Sequence, residues 1–226
     1  MGEKVKKTDG TVVDQTIDAM RAAIRSGQLV PGQRLVVADI TAMFAVSAGP
    51  VREAIRRLTG EGLIEIVPHR GASVRRITPS DLEEIFELRG AVEGLAARLA
   101  AERGDALRAE LSTIMAEMER VAVAEDIDSY LANNTAFHDL IYRMAHNERV
   151  RGLAAQLILP VYQVRLPHRM NVAALHLSHR EHKVIAAALW AGNGNAAEVA
   201  MRQHILNAKE GLKKALAGKT LPLGPI

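Results

Sequence analysis

Residues Val46 to Leu63 read VSAGPVREAIRRLTGEGL. Val51, Ala54, Ile55 and Leu58 recur at helical spacing and define one apolar face, while Arg52, Arg56 and Arg57 fall on the rest of the surface. Ser47 stands where an N-cap belongs, Pro50 suits a first helical turn, and Gly60 and Gly62 suit the stop. A helix that docks such a stripe on a small core turns its arginines outward, where they can meet DNA phosphates and guanine edges. An ordinary amphipathic surface helix carries the same pattern, so the flanking sequence decides.

Upstream, Val13, Ile17, Met20 and Ile24 mark one face of a helix from Thr11 to Ser26, closed by Gly27 and followed by a Pro31-Gly32 turn. Leu35 and Val36 form a short extended piece. Asp39 to Phe44 is a short helix with Ile40, Met43 and Phe44 turned inward, and Ala45-Val46 is a tight turn. Downstream the period changes. Leu63, Ile64, Ile66 and Val67 are β-prone, Pro68-His69-Arg70-Gly71 breaks the run, and Ala72 to Arg75 resumes it. Three helices and a hairpin make a winged helix-turn-helix over residues 1–78, with His69 and Arg70 at the wing tip, within reach of a phosphate backbone or minor groove. Charge agrees: this stretch holds twelve Lys and Arg against eight Asp and Glu, while the remainder is near neutral.

The runs SGQLVPGQRL and VSAGPVREAIRRLTGEGLIEIVPHRGASV resemble the DNA-binding domain of the GntR family of bacterial transcription regulators. The sequence keeps Pro31, Gly32, Leu35, Ser47, Pro50, Val51, Arg52, Glu53, Ala54, Leu58, Gly62, Leu63 and Gly71 of that pattern. It departs at Ala48 and Gly49, where the family usually has arginine and threonine, and so lacks a guanine-reading arginine. The resemblance implies a DNA face of Ser47, Gly49, Arg52 and Arg56 with His69, Arg70 and Gly71 of the wing, Arg52 being the remaining base reader.

Composition narrows the classes. The chain has 226 residues, 48% hydrophobic and 3% aromatic, which favours packed helices over a sheet. It has no cysteine, which removes disulfides, iron–sulfur clusters and thiolate zinc sites. The charged start MGEKVKKTDG is no signal peptide, and no apolar run is long enough to span a bilayer. These readings predict a soluble, cytoplasmic protein with a frayed first ten residues and no membrane partner.

Arg75 to Pro79 forms a linker, and residues 79–217 read as helical throughout: 79–103, 106–124, 127–145, 148–166, 172–191 and 195–217, a six-helix antiparallel bundle. The tail 218–226 is loose. The fold class is therefore mainly α, a winged helix-turn-helix followed by an all-α bundle. Histidines stand out in the second part. Asn134 and His138 share a helix face, and His182 and His204 fall on two further helices. Three imidazoles from three helices can hold a divalent metal, or can be ordinary histidines with local hydrogen bonds.

The runs IFELRGAVEGLAARLAA, NNTAFHDLIYRMAHN, REHKVIAAALWAGN and AAEVAMRQHI are similar to the FadR-type C-terminal ligand-binding (FCD) domain. That resemblance implies a divalent metal, zinc, nickel or manganese, on Asn134, His138, His182 and His204, with a small carboxylate-bearing metabolite completing its coordination. Asn134 stands where many relatives have a carboxylate. Arg89 either forks onto the effector's carboxylate or pairs with Glu93 one turn on. Arg143 and Arg165 are weaker anion candidates, and His179 is either a partner of His182 or exposed. An enzyme is disfavoured, because no carboxylate is evident as a base beside the histidines. A dimeric DNA-binding protein without an effector remains the alternative. The reading is a homodimeric regulator, a repressor by family habit, of double-stranded operator DNA.

Overall fold

Thr11 opens the first helix through a capping box: its hydroxyl accepts from Asp14 N, and Asp14 takes the Thr11 N–H in return. The helix, α1 (Val12–Ser26), ends on Gly27 at φ 78. It buries Ile17, Met20 and Ile24, each contributing roughly 1.5–3 kcal/mol of transfer free energy. This computed structural model describes residues 11–103, 107–165 and 170–217, so the first ten residues, the breaks near 104–105 and 167–169 and the tail after 217 lie outside the described residues.

Next come α2 (Val37–Phe44) and α3 (Ala48–Gly60), then β1 (Ile64–Val67) and β2 (Gly71–Val74). The strands pair antiparallel, Ile64 opposite Val74 and Val67 opposite Gly71. The Leu35-Val36 region lies along β2: Leu35 N donates to Ala72 O at 2.8 Å, and Arg34 bridges Ser73. Val51, Ala54, Ile55 and Leu58 of α3 join Ile17, Met20, Ile24, Leu35, Ile40 and Ile64 in one core. Arg21 forks onto Glu61, tying α1 to the end of α3.

Ser47 holds the N-cap position of α3, as its place in the sequence suggests, without a side-chain cap hydrogen bond; the third helical residue is Pro50, which has no N–H to give. One expectation needs correction. Met43 is 40% exposed rather than inward, because α2 is only two turns long and Ile40 and Phe44, one turn apart, take its inner face.

The second part holds α4 (Pro79–Arg103), α5 (Arg108–Val123), α6 (Ile127–Met144), α7 (Glu148–Arg165), α8 (Val172–Trp190) and α9 (Gly194–Ala217). The chain divides into two compact units between Thr78 and Pro79. In the bundle α4 packs on α9, α6 and α8, and α5 on α6 and α8. Gly94 lets α4 and α9 approach closely, since a Cβ there would lie 2.7 Å from Arg202 Cγ. Phe86, Leu111, Met118, Tyr130, Phe137, Ile185 and Met201 fill the interior.

Gly32 turns the chain at φ +81, and a Cβ there would meet the Arg76 guanidinium. That guanidinium can swing away; the backbone cannot. Gly32→Ala should therefore lower stability by roughly 1–2 kcal/mol, the left-handed penalty. Denaturant melts should show the same loss in an Arg76→Ala background. A loss that vanishes there would mean the steric contact, not φ, sets the cost.

Candidate functional site

Ser47, Gly49, Arg52, Arg56, His69, Arg70 and Gly71 are all exposed. The structure brings part of this set together: Arg52 and Ile55 of α3, Gly71 and Ala72 of the wing, and Arg34 to Val37 line one concavity of about 350 Å³. Arg34 is an addition the sequence reading missed. Its only signal there was charge, and its place beside Arg52 comes from the pairing of residues 34 and 35 with β2. His69 takes φ 63 and Gly71 φ 84, which folds the wing tip back on itself.

Arg56 is exposed and is also paired within its own helix. Its guanidinium forks onto Glu53 at 2.8 and 2.6 Å, and Arg57 Nε reaches the same carboxylate at 2.9 Å. These hydrogen bonds hold Glu53 down to about 2, so it stays charged. Arg57 also reaches Asp14 on α1. Two of the three arginines of this helix are thus engaged within the protein.

The second site is built on i, i+4 stripes. On α6, Tyr130, Asn134, His138 and Tyr142 succeed one another by single turns; α4 presents Arg89 and Glu93, α8 Ser178 and His182, and α9 His204. All nine side chains are buried. The rings of His138, His182 and His204 converge, with centroids 5.6, 5.4 and 4.5 Å apart. One nitrogen from each lies within 4.8 Å of the others.

A polar group lies within 3.0 Å of Nδ1 in each ring. Glu181 Oε2 lies 2.7 Å from His204 Nδ1, and its other oxygen accepts from Asn207 at 2.6 Å. Tyr130 Oη lies 3.0 Å from His182 Nδ1. Glu93 Oε2 lies 2.9 Å from His138 Nδ1, though off the line of a hydrogen bond. Burial lowers the pKa of His204, with Glu181 opposing, so the ring favours its neutral form. Burial works to raise Glu93, but the Arg89 charge, with His138, wins and holds it well below the usual carboxylate range.

The expectation that no carboxylate pairs with the histidines is therefore wrong. Glu93 sits in another helix and Glu181 serves not its neighbour His182 but His204 across the bundle. Of the two roles open to Arg89, the structure shows the ion pair: Nε lies 2.6 Å from Glu93 Oε1, and Tyr142 Oη donates to Glu93 Oε2 at 2.8 Å. Arg143 is held by Glu110 and Asp139; the Arg165 side chain lies outside the described residues. His179 is neither exposed nor bound to His182: it is buried, with Nε2 2.8 Å from Glu119 Oε2. Tyr130, Glu93 and Glu181 had no role in the sequence reading of a metal site.

A basic winged helix-turn-helix joined to an all-α domain with a buried polar cluster defines a class, a DNA-binding regulator with a separate sensing module. Residues 12–74 match the model for bacterial regulatory proteins of the gntR family, and residues 84–207 match the FCD domain. The chain is 32% identical over 204 residues to a probable D-xylose utilization operon transcriptional repressor of Paenarthrobacter nicotinovorans, covering 88% of this chain and 87% of that one. It is 28% identical over 206 residues to the HTH-type transcriptional repressor GlaR of Escherichia coli K12, over 85% and 91% of the two chains. The solved structure of E. coli McbR/YncC shares the fold at TM-score 0.78 and 22% identity, over 91% of this chain and 98% of that one. The chain belongs to the GntR family of bacterial regulators and carries an FCD domain. It is a transcription regulator, not an enzyme, and its FCD domain implies effector binding. Among the described residues no helix is long and apolar enough to cross a membrane.

Two variants probe these sites. Glu53→Gln should release Arg56 and Arg57, tightening binding to random-sequence DNA and steepening its salt dependence; an unchanged salt slope would place those arginines away from DNA. Glu93→Gln should cost about 3–5 kcal/mol in denaturant melts, because it leaves Arg89 buried without its counter-charge. A loss under about 1 kcal/mol, a surface pair's worth, would show that the pair is solvated.

Proposed function

We propose that this protein represses transcription as a homodimer on a palindromic operator, and that a small organic carboxylate bound with a divalent metal in the bundle modulates the grip. The observation that supports the metal is the convergence of three buried imidazoles from α6, α8 and α9, with nitrogens within 4.8 Å. Lone pairs brought that close repel one another and are stabilised by a cation, and the lowered His204 pKa keeps its nitrogen available to one. Three nitrogens suit zinc or nickel, with manganese the harder alternative. Asn134, buried one turn before His138, offers a neutral fourth ligand. A neutral ligand leaves the bound metal more positive, which suits an anionic effector. Arg89 is neutralised by its buried ion pair with Glu93, so the anion's charge would be met at the metal.

On the DNA side, Arg52 reads base edges and Ser47, Gly49, Arg56, His69, Arg70 and Gly71 supply the surrounding contacts. Two winged domains related by a two-fold axis would meet half-sites about one helical turn apart. The effector shifts the population between arrangements of those two domains through the Arg75–Pro79 connection, by its differential affinity for them.

The test is metal content of untagged protein purified without chelator, followed by operator binding with and without candidate organic acids. Wild type should carry stoichiometric metal, and His138→Ala combined with His182→Ala should lose it while keeping its helix content. Arg52→Ala should weaken operator binding by about 1–3 kcal/mol. Metal-free wild type whose operator binding ignores every acid would instead favour a dimeric DNA-binding protein without an effector.

A further inference from the structure

Residues 32–35 run antiparallel beside β2: Gly32 N donates to Val74 O at 2.7 Å, Val74 N to Gln33 O at 2.9 Å, and Leu35 N to Ala72 O at 2.8 Å. Side chains alternate along such a segment. Leu35 is buried in the core of the winged domain, so Arg34 is turned out to the surface. The pairing places it on the wall of the concavity that Arg52 of α3 and Gly71 and Ala72 of the wing also line.

The charge of this concavity is uncompensated. Arg21, Arg56 and Arg57 are each paired with a carboxylate. Among the described residues, the Arg34 and Arg52 side chains have no ion pair or hydrogen bond. None of the residues lining the concavity is acidic, and Gly71 and Ala72 bring only small side chains to the wing's wall, so about 350 Å³ stays open beside two cations. A helix in the major groove and a hairpin tip in the neighbouring minor groove have one sugar–phosphate strand between them. The seam between α3 and the wing is where that strand passes.

We propose that this concavity seats one backbone phosphate of the DNA strand between the two grooves, and that Arg34 is the residue that holds it. The inference rests on the reading of α3 and the wing as the DNA face, and it adds a contact that belongs to neither element. Arg52, lining the same concavity from α3, stays available to a base edge. A phosphate contact is the same at every base pair, so Arg34 supplies grip on any sequence and preference for none.

Fluorescence anisotropy of the full chain tests this on two short duplexes, one of random sequence and one that wild type enriches from a random pool, across a range of salt. Each phosphate contact contributes about 0.9 to the slope of log affinity against log salt. Arg34→Ala should flatten that slope by about 0.9 for each winged domain engaged, on both duplexes, and weaken binding roughly eightfold per domain at about 0.1 M salt, the gap closing toward about 1 M. The ratio of the two affinities should stay as in wild type. Arg34→Lys keeps the point charge and should keep the slope. On the enriched duplex, neutral methylphosphonates placed at single linkages should weaken wild type at one linkage per half-site where Arg34→Ala is indifferent. A slope unchanged by Arg34→Ala, a fallen affinity ratio, or no linkage of that kind would overturn the proposal. If Arg52→Ala keeps the preference for the enriched duplex while Arg34→Ala behaves as expected, base reading by Arg52 fails and the phosphate seat stands. Wild-type binding that ignores salt would overturn both.

Discussion

An ionised carboxylate at the centre of a helical bundle is costly unless its surroundings compensate it, and Glu93 shows how the bundle meets that requirement. Its two oxygens are shared among Arg89 on its own helix and Tyr142 and His138 on α6. Removing any of these groups changes the charge or the hydrogen bonding of a side chain only 1% exposed. The packing of α4 on α6 is therefore chemically specified as well as apolar, and the orientation of His138 is part of the same specification. Glu181 does for α8 and α9 what Glu93 does for α4 and α6.

Much of the architecture could be read from the chain because it rests on local rules. The α3 stripe of Val51, Ala54, Ile55 and Leu58 became the core of the winged domain, and the proline–glycine break between Val67 and Ala72 became the hairpin turn. Helix ends shifted by a residue or two, as fraying allows. The failures are also physical. Ser47 took the N-cap position of α3 but without the side-chain hydrogen bond, the third helical residue being a proline with no N–H to give. Met43 missed because a helix of eight residues has too narrow an inner face for three large side chains.

The histidine cluster divides along the same line. Its members stood out by residue type and by resemblance. Their orienting partners did not, because those contacts cross helices: 49 residues separate Tyr142 from Glu93, 52 separate Tyr130 from His182 and 23 separate Glu181 from His204. Adjacency misled in one case, since Glu181 touches the histidine of α9 rather than its own neighbour. A helix sends consecutive side chains about 100° apart, so neighbours in sequence are rarely partners in a bundle.

On α3, Glu53 clamps Arg56 and Arg57, leaving the helix proposed to face DNA with less outward charge than its three arginines suggest. The consequence concerns time rather than strength. A regulator must leave a vast excess of wrong sites quickly if it is to find the right one, and attraction to the phosphate chain is what detains it on them. If α3 lies on DNA as proposed, a helix that neutralises part of its own charge would shorten each mistaken stop and so speed the search along the chromosome.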